Sequence, residues 1–272
     1  MKENNILISV LVPTYNRVKY LGECLDSIVE QKWFKKEEIE ILIGDNSEWD
    51  ETKEFMESYL KDHQKYEIIY IKNKTNLWWI WNFNNLLDES RWEYYIILSD
   101  DDKFYDKNSL KNIYDWLLKY KLDVCYWKYK VFNSDWSKTR EYRPHEKIKN
   151  KKLYIDTFDD QILWHTMTFG GVLYRQLGYR YDKASKWMCD RNMNLQYLYH
   201  KKRVWMINNY TFLYRVHDTN DTYTIPKVFF WKFVLYSYNF FNIPIFKRVF
   251  YFIKMIIRAI LRRIRRFIED HF

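Results

Sequence analysis

The stretch Ile96-Ile97-Leu98-Ser99-Asp100-Asp101-Asp102 is an apolar run that ends abruptly in three consecutive carboxylates. Three adjacent like charges call for a cation. At the carboxyl end of a buried strand, where an open α/β sheet binds its ligand, oxygen-only side chains suit Mg²⁺ or Mn²⁺ carrying a substrate diphosphate. The same residues would also serve as a solvated turn capping the next helix. Because side chains alternate along extended backbone, Asp100 and Asp102 face one side and Asp101 the other, which makes Asp102 and Asp100 the expected metal-facing pair.

Working outward, apolar runs at Ile6 to Val12, Ile39 to Ile43, Ile68 to Ile71 and Tyr94 to Leu98 read as strands, with helix-like stretches beginning at Tyr20, Asp50 and Trp79 between them. This β-α-β alternation predicts an α/β fold with a Rossmann-like, mostly parallel central sheet flanked by helices, and it puts the Asp run after the fourth strand. A helix over Ser109 to Lys119 and a strand over Asp123 to Lys128 follow. Asn133 to Lys152 reads as a loop or hairpin, Gly170 to Tyr174 as a strand, Asp190 to His200 as a helix, and Val204 and Thr211 as centres of two short strands.

Composition is that of a globular chain: 47% hydrophobic and 30% charged over 272 residues, enough for one large catalytic domain. The start, with one Lys and a short apolar run, is read as a first strand rather than a signal peptide. Cys24, Cys125 and Cys189 fit no zinc or redox spacing, so a reducing cytoplasm is the expected compartment. Of the net charge of +9, eight cations against two carboxylates in the last 26 residues leave +6 in the tail. Charge concentrated at one end argues against a nucleic-acid-binding face. From Pro244 onward Val249, Ile253, Ile256, Ile260, Ile264 and Phe267 recur at helical spacing opposite Lys247, Lys254, Arg258, Arg262 and Arg265. This basic amphipathic helix suits the interface of an anionic membrane. It would equally pack its apolar face on the domain or on a second subunit, giving a homo-oligomer. The expected division is a catalytic domain over residues 1–222 and an aromatic, basic helical extension over 223–272.

Several segments together resemble family 2 glycosyltransferases, which have the GT-A fold and use nucleotide-sugar donors. Val10 to Arg17 is similar to the family's opening strand and nucleotide-binding turn. There Pro13 closes the strand, Thr14 and Tyr15 meet the nucleotide, Tyr15 offers a stacking face, and Asn16 and Arg17 offer donors to base, ribose or phosphate. Ile43 to Ser47 resembles the turn whose Asp45 accepts a base-edge hydrogen, favouring UDP. Asn76 to Asn82 resembles the Asn-Leu-Gly stretch, with Asn76 and Asn82 in place and Trp78 where Gly is usual. Asp100, Asp101 and Asp102 match the Asp-X-Asp signature.

Downstream, Thr168 to Arg175, with Gly170 and Gly171, resembles the acceptor-side strand. Met188 to Asn192 resembles the start of the catalytic helix, so that Asp190 falls on the base and Cys189 on the position of a Glu. Tyr214 to His217 resembles the closing Tyr-Arg-X-His motif, where His217 reaches metal or diphosphate and Arg215 neutralises phosphate. The resemblance implies an inverting transferase that uses Mg²⁺ or Mn²⁺. Its acceptor would be a glycan or lipid-linked glycan in bacterial surface polysaccharide synthesis, and it would sit at the inner face of the cell membrane. The Trp78 and Cys189 departures leave open a membrane-surface scaffold that binds a nucleotide sugar without transferring it.

Overall fold

The computed structural model describes residues 8–32, 38–91, 93–134, 139–141, 153–155, 157–158, 171–217 and 227–271. Strands β1 (Ile8–Thr14), β2 (Ile39–Asp45), β3 (Ile68–Lys72) and β4 (Tyr94–Ile97) alternate with helices α1 (Val18–Val29), α2 (Glu51–Asp62) and α3 (Trp78–Glu89). They pair in parallel in the order β3-β2-β1-β4. Side-chain alternation explains the layers. Val10, Val12, Ile41, Ile43 and Ile96 point into one core, while Leu11, Leu42, Tyr95 and Ile97 point into another. A sheet apolar on both faces must be covered on both, and the parallel connections supply the helices.

Leu21, Leu25 and Ile28 of α1 and Met56 of α2 close the first face, with Leu110, Ile113 and Leu117 of α4 (Ser109–Tyr120). Ile80, Phe83, Leu86 and Leu87 of α3 close the second, joined by Cys189, Met193 and Tyr197 of α5 (Cys189–Tyr199). Each of these fully buried aliphatic side chains contributes about 1.5–3 kcal/mol by leaving water.

Beyond β4 the sheet becomes mixed. β5 (Lys103–Phe104), β6 (Val124–Asn133), β7 (Thr139–Glu141), β8 (Leu153–Ile155), β9 (Leu173–Arg175) and β10 (Val204–Val216) extend it in the order β4-β9-β6-β10-β5. β9 is antiparallel to both its neighbours, whereas β6 and β10 are parallel. The two short strands expected near Val204 and Thr211 are one strand. Register shifts between Ile207 and Phe212 break its alternation, which is why the sequence reads as two pieces. Pro13 does not end β1 either, because the pairing continues through Pro13 to Thr14.

Two further helices, α6 (Lys227–Phe240) and α7 (Ile245–His271), follow one another across a short corner. Phe233, Val234 and Tyr238 of α6 share a third apolar cluster with Leu195 of α5 and with Tyr251 and Met255 of α7. Arg248 fastens the corner, donating to the carbonyls of Ile243 (2.6 Å) and Tyr238 (3.2 Å) and to Asn239 Oδ1 (2.9 Å). The extension thus packs directly on α5, the helix whose first turn carries Asp190.

Candidate active site

The carboxyl ends of β1 to β4 lie along one edge of the sheet, where the parallel arrangement brings Thr14, Asp45, Lys72 and the Asp run together. The run itself is a turn, not extended backbone. β4 ends at Ile97, and the Asp102 N–H donates to the Ser99 carbonyl at 3.0 Å. Alternation therefore fails here, and Asp100 faces the same cation as Asp101: Arg17 Nη1 lies 3.3 Å from Asp100 Oδ1 and 3.1 Å from Asp101 Oδ2. Thr14 Oγ1 donates to Asp100 Oδ2 at 2.7 Å. His217 Nε2 lies 2.8 Å from Asp101 Oδ2, and the Arg215 N–H donates to Asp102 Oδ1 at 2.9 Å. All three carboxylates are buried. Burial first, then the charge of Asp101, raises the proton affinity of both Asp100 and Asp102.

Arg215 lies beneath this turn, where the sequence motif implied a phosphate contact. Its Nε donates to the Asp101 carbonyl at 2.9 Å, and its two terminal nitrogens meet Glu23 at 3.3 and 2.8 Å. Tyr20 covers the guanidinium, its ring centroid 4.4 Å from Cζ, and also packs on His217. Glu23 and Tyr20 were not singled out from sequence. Glu23 stands 192 positions from its partner, so no local pattern marks it.

The other nucleotide-side residues divide into those that face outward and those that brace. Tyr15 is exposed, with its hydroxyl donating to Glu48. Asn16 holds a left-handed backbone (φ 51°), its N–H donating to Ser47 Oγ. Asp45 is fully buried and both its oxygens are engaged, Oδ1 by the Ser47 N–H and Oδ2 by Tyr70 and Lys72. Asn82 is buried and donates to the Gly44 carbonyl at 2.7 Å, so it supports the β2 turn from behind. Asn76 accepts the Trp78 N–H at 2.9 Å. Trp78 is 72% exposed and left-handed (φ 62°), the conformation in which Gly is ordinary. Trp81, also exposed, carries Lys183 on its ring face.

Asp190 lies in the first turn of α5, in the other half of the chain. Tyr197, in the last turn of α5, donates to the Arg175 carbonyl at the far end of β9, where that strand meets the start of β4. Tyr197 thus anchors the last turn of α5 beside the amino end of β4. The Asp190 side chain is half-buried, and desolvation pushes its pKa up to about 6. Asp182 caps the preceding 3₁₀ turn by accepting the Ser185 N–H and also accepts the Tyr236 hydroxyl of α6. Gly171, at φ +67°, donates to the Ile97 carbonyl, and a Cβ there would lie 2.1 Å from the Phe212 ring. Gly170 lies outside the described residues.

Residues 9–180 match the family model for glycosyl transferase family 2. The chain belongs to that family. Among curated family 2 relatives, it is 38% identical to abequosyltransferase RfbV of Salmonella typhimurium over 97 residues, 36% of this chain and 28% of that protein. The chain thus spans less than a third of that relative. The fold is that of GT-A glycosyltransferases. S. aureus TarS residues 1–349 in complex with UDP-GlcNAc superposes with a TM-score of 0.64 at 19% identity, covering 81% of this chain and 62% of that one. Mannosyltransferase PcManGT from Pyrobaculum calidifontis, in complex with GDP-Man and Mn²⁺, gives 0.57 at 16% identity over 78% and 58%.

Among the described residues of this family 2 chain, no three His, Cys, Asp or Glu side chains form a ready-made metal cage. A Mg²⁺-like ion does not need one, since one or two carboxylates plus substrate phosphates suffice. Buried oxygen ligands whose negative charge is under-compensated, as the raised proton affinities of Asp100 and Asp102 record, fit such an ion.

Proposed function

We propose that this protein is an inverting glycosyltransferase that moves a sugar from a nucleotide-diphosphate donor, a UDP-sugar by preference, to a hydroxyl of a glycan or lipid-linked glycan in bacterial surface polysaccharide synthesis. One observation carries the reading. A buried Asp turn closes the fourth parallel strand beside Arg17 and His217, and the chain also supplies a half-buried carboxylate, Asp190, with a pKa of about 6. The names of RfbV and of the TarS complex with UDP-GlcNAc support the reaction class and the preference for UDP. Three buried free cysteines support a reducing, cytoplasmic setting.

In this reading the turn from Pro13 to Arg17, with exposed Tyr15, receives the nucleoside. Arg17 exchanges part of its pairing with Asp100 and Asp101 for the diphosphate. Asp102 and Asp100 would hold a divalent ion, and His217 orients Asp101. When bound, the ion neutralises charge on the departing diphosphate. Near neutral pH Asp190 is ionised. It accepts the proton of the acceptor hydroxyl as that oxygen bonds to the anomeric carbon, and the bond from that carbon to the diphosphate oxygen breaks on the opposite face. Trp78 and Trp81 wall the acceptor side, where Gly171 lets the backbone approach closely.

Thermal shifts with UDP-, GDP- and dTDP-sugars, with Mn²⁺, Mg²⁺ or chelator, test the donor side, because a ligand of the native state raises its apparent stability. A metal-dependent shift with one nucleotide that Asp102→Ala removes is the expected result. Donor binding with neither transfer nor hydrolysis would turn the reading toward a nucleotide-sugar-binding scaffold.

A further inference from the structure

The helix α7 has two sides with opposite surroundings. Tyr251 and Met255 are buried against α6, and Arg248 ties the same end down. At 100° per residue, Phe246, Val249, Phe250, Ile253, Ile257 and Ile260 fall on a stripe roughly half a turn away from that packed face. All six are exposed, Phe246 at 68%. The apolar stripe therefore points away from the domain, and among the described residues Arg248, Tyr251 and Met255 make the contact with the protein from the other side. From Phe246 to Ile264 the stripe runs about 27 Å at the helical rise.

Its charge surroundings are one-sided as well. No carboxylate occurs between Ile245 and Ile268, and the exposed cations Lys247 and Lys254 flank the stripe on one edge and Arg263 on the other. Lys254 Nζ sits 4.2 Å from the Phe250 ring centroid, its stem lying along the stripe with the ammonium at its border. Among the described residues no helix is long and apolar enough to cross a membrane. A long, outward, apolar stripe bordered on both edges by cations is the surface of a helix lying in a lipid interface, with acyl chains under the stripe and anionic headgroups at its edges. A second copy seated on the stripe would bring these cation borders face to face, an unfavourable pairing for a symmetric interface.

We propose that α7 is a docking surface for an anionic bilayer, lying in the plane of the interface and held at a fixed orientation to the catalytic domain by α6. The proposal stands on α7 alone and is independent of the reaction assigned above. Vesicle flotation with the full chain tests it, using phosphatidylcholine mixed with phosphatidylglycerol against phosphatidylcholine alone. Three bordering cations, each worth about fivefold near an anionic surface, give on the order of a hundredfold preference for the mixed vesicles.

Phe250→Glu with Ile257→Glu alters only exposed positions, so the urea midpoint stays in place while vesicle binding falls at least about tenfold. Lys247→Gln with Lys254→Gln lowers binding to the mixed vesicles and leaves that to neutral ones unchanged. Wild-type protein that stays unbound on both compositions, or the Glu variant binding as well as wild type, would overturn the proposal. So would a concentration-dependent dimer in sedimentation that the Glu variant disperses without any vesicle uptake.

Discussion

Replacing Asp190 by Asn tests the base through stability as well as rate, and the stability arm needs no substrate. The folded protein holds this carboxyl at about 6 against an ordinary value of 3.8, with desolvation as the main cause. A difference of about two units corresponds to about 3 kcal/mol at 1.36 kcal/mol per unit if the group were wholly out of water. Partial exposure of the side chain reduces this to about 2 kcal/mol.

A pKa raised by folding gives a contribution that is fully present below about pH 4 and lost as pH rises through 6, because the ionised form is better solvated in the unfolded chain. Asn has no charge to desolvate and keeps an oxygen for the backbone N–H groups at the start of α5. Asp190→Asn should therefore be more stable than wild type by about 2 kcal/mol near pH 7.5, and the difference should close toward pH 4. Urea unfolding of both proteins across that range measures it, since every other titrating group cancels in the comparison. A variant equally stable or less stable at pH 7.5 would refute the desolvated-carboxylate reasoning. With Asp190 as the proposed base, the same ionisation should set the rate: kcat/KM should fall about tenfold per pH unit below 6, and the Asn variant should lose about 10²- to 10⁴-fold in turnover while keeping donor affinity.

Gly171→Ala forces a methyl against Phe212 in a left-handed backbone and should cost about 2–4 kcal/mol in urea unfolding. A loss under 1 kcal/mol would mean that β10 yields easily. Glu23→Gln leaves the buried Arg215 guanidinium without its carboxylate. It should cost about 1–3 kcal/mol, less than the roughly 3–5 kcal/mol of a fully buried broken pair because Glu23 is itself partly exposed, and the loss should shrink in acid as wild-type Glu23 protonates. Trp78→Gly relieves about 1 kcal/mol of left-handed strain and adds a similar entropic cost in the unfolded chain. Its urea midpoint should hardly move, so any loss of donor or acceptor affinity, read by calorimetry, belongs to the exposed indole.

The four parallel strands and their helices were legible because each carries its own apolar run, and buried strands must. The Asp run after the fourth strand was legible as a break in that apolar run, which the sequence reads either as a cation site or as a capping turn. Its geometry was not, since the turn at Ser99 to Asp102 replaces extended backbone with a bend that pairs Asp100 with Asp101. Asp45 and Asn82 stand where the resemblance predicts, yet their polar atoms are spent on Tyr70, Lys72 and Gly44, partners on neighbouring strands that no local pattern joins to them. The same distance in sequence hid Glu23 and the wedge of α6 against α5.

That wedge has a practical consequence. Removing the chain from residue 223 onward would strip Leu195 of Phe233 and Val234, and Asp182 of the Tyr236 hydroxyl, both within the wall that carries the Asp190 helix. A shortened protein that no longer works would therefore be silent on whether lipid is needed, since the cut disturbs the support of the proposed base along with the proposed lipid-facing helix. Exchanges confined to the outward stripe of α7 disturb neither, and they alone separate where the protein sits from what it does.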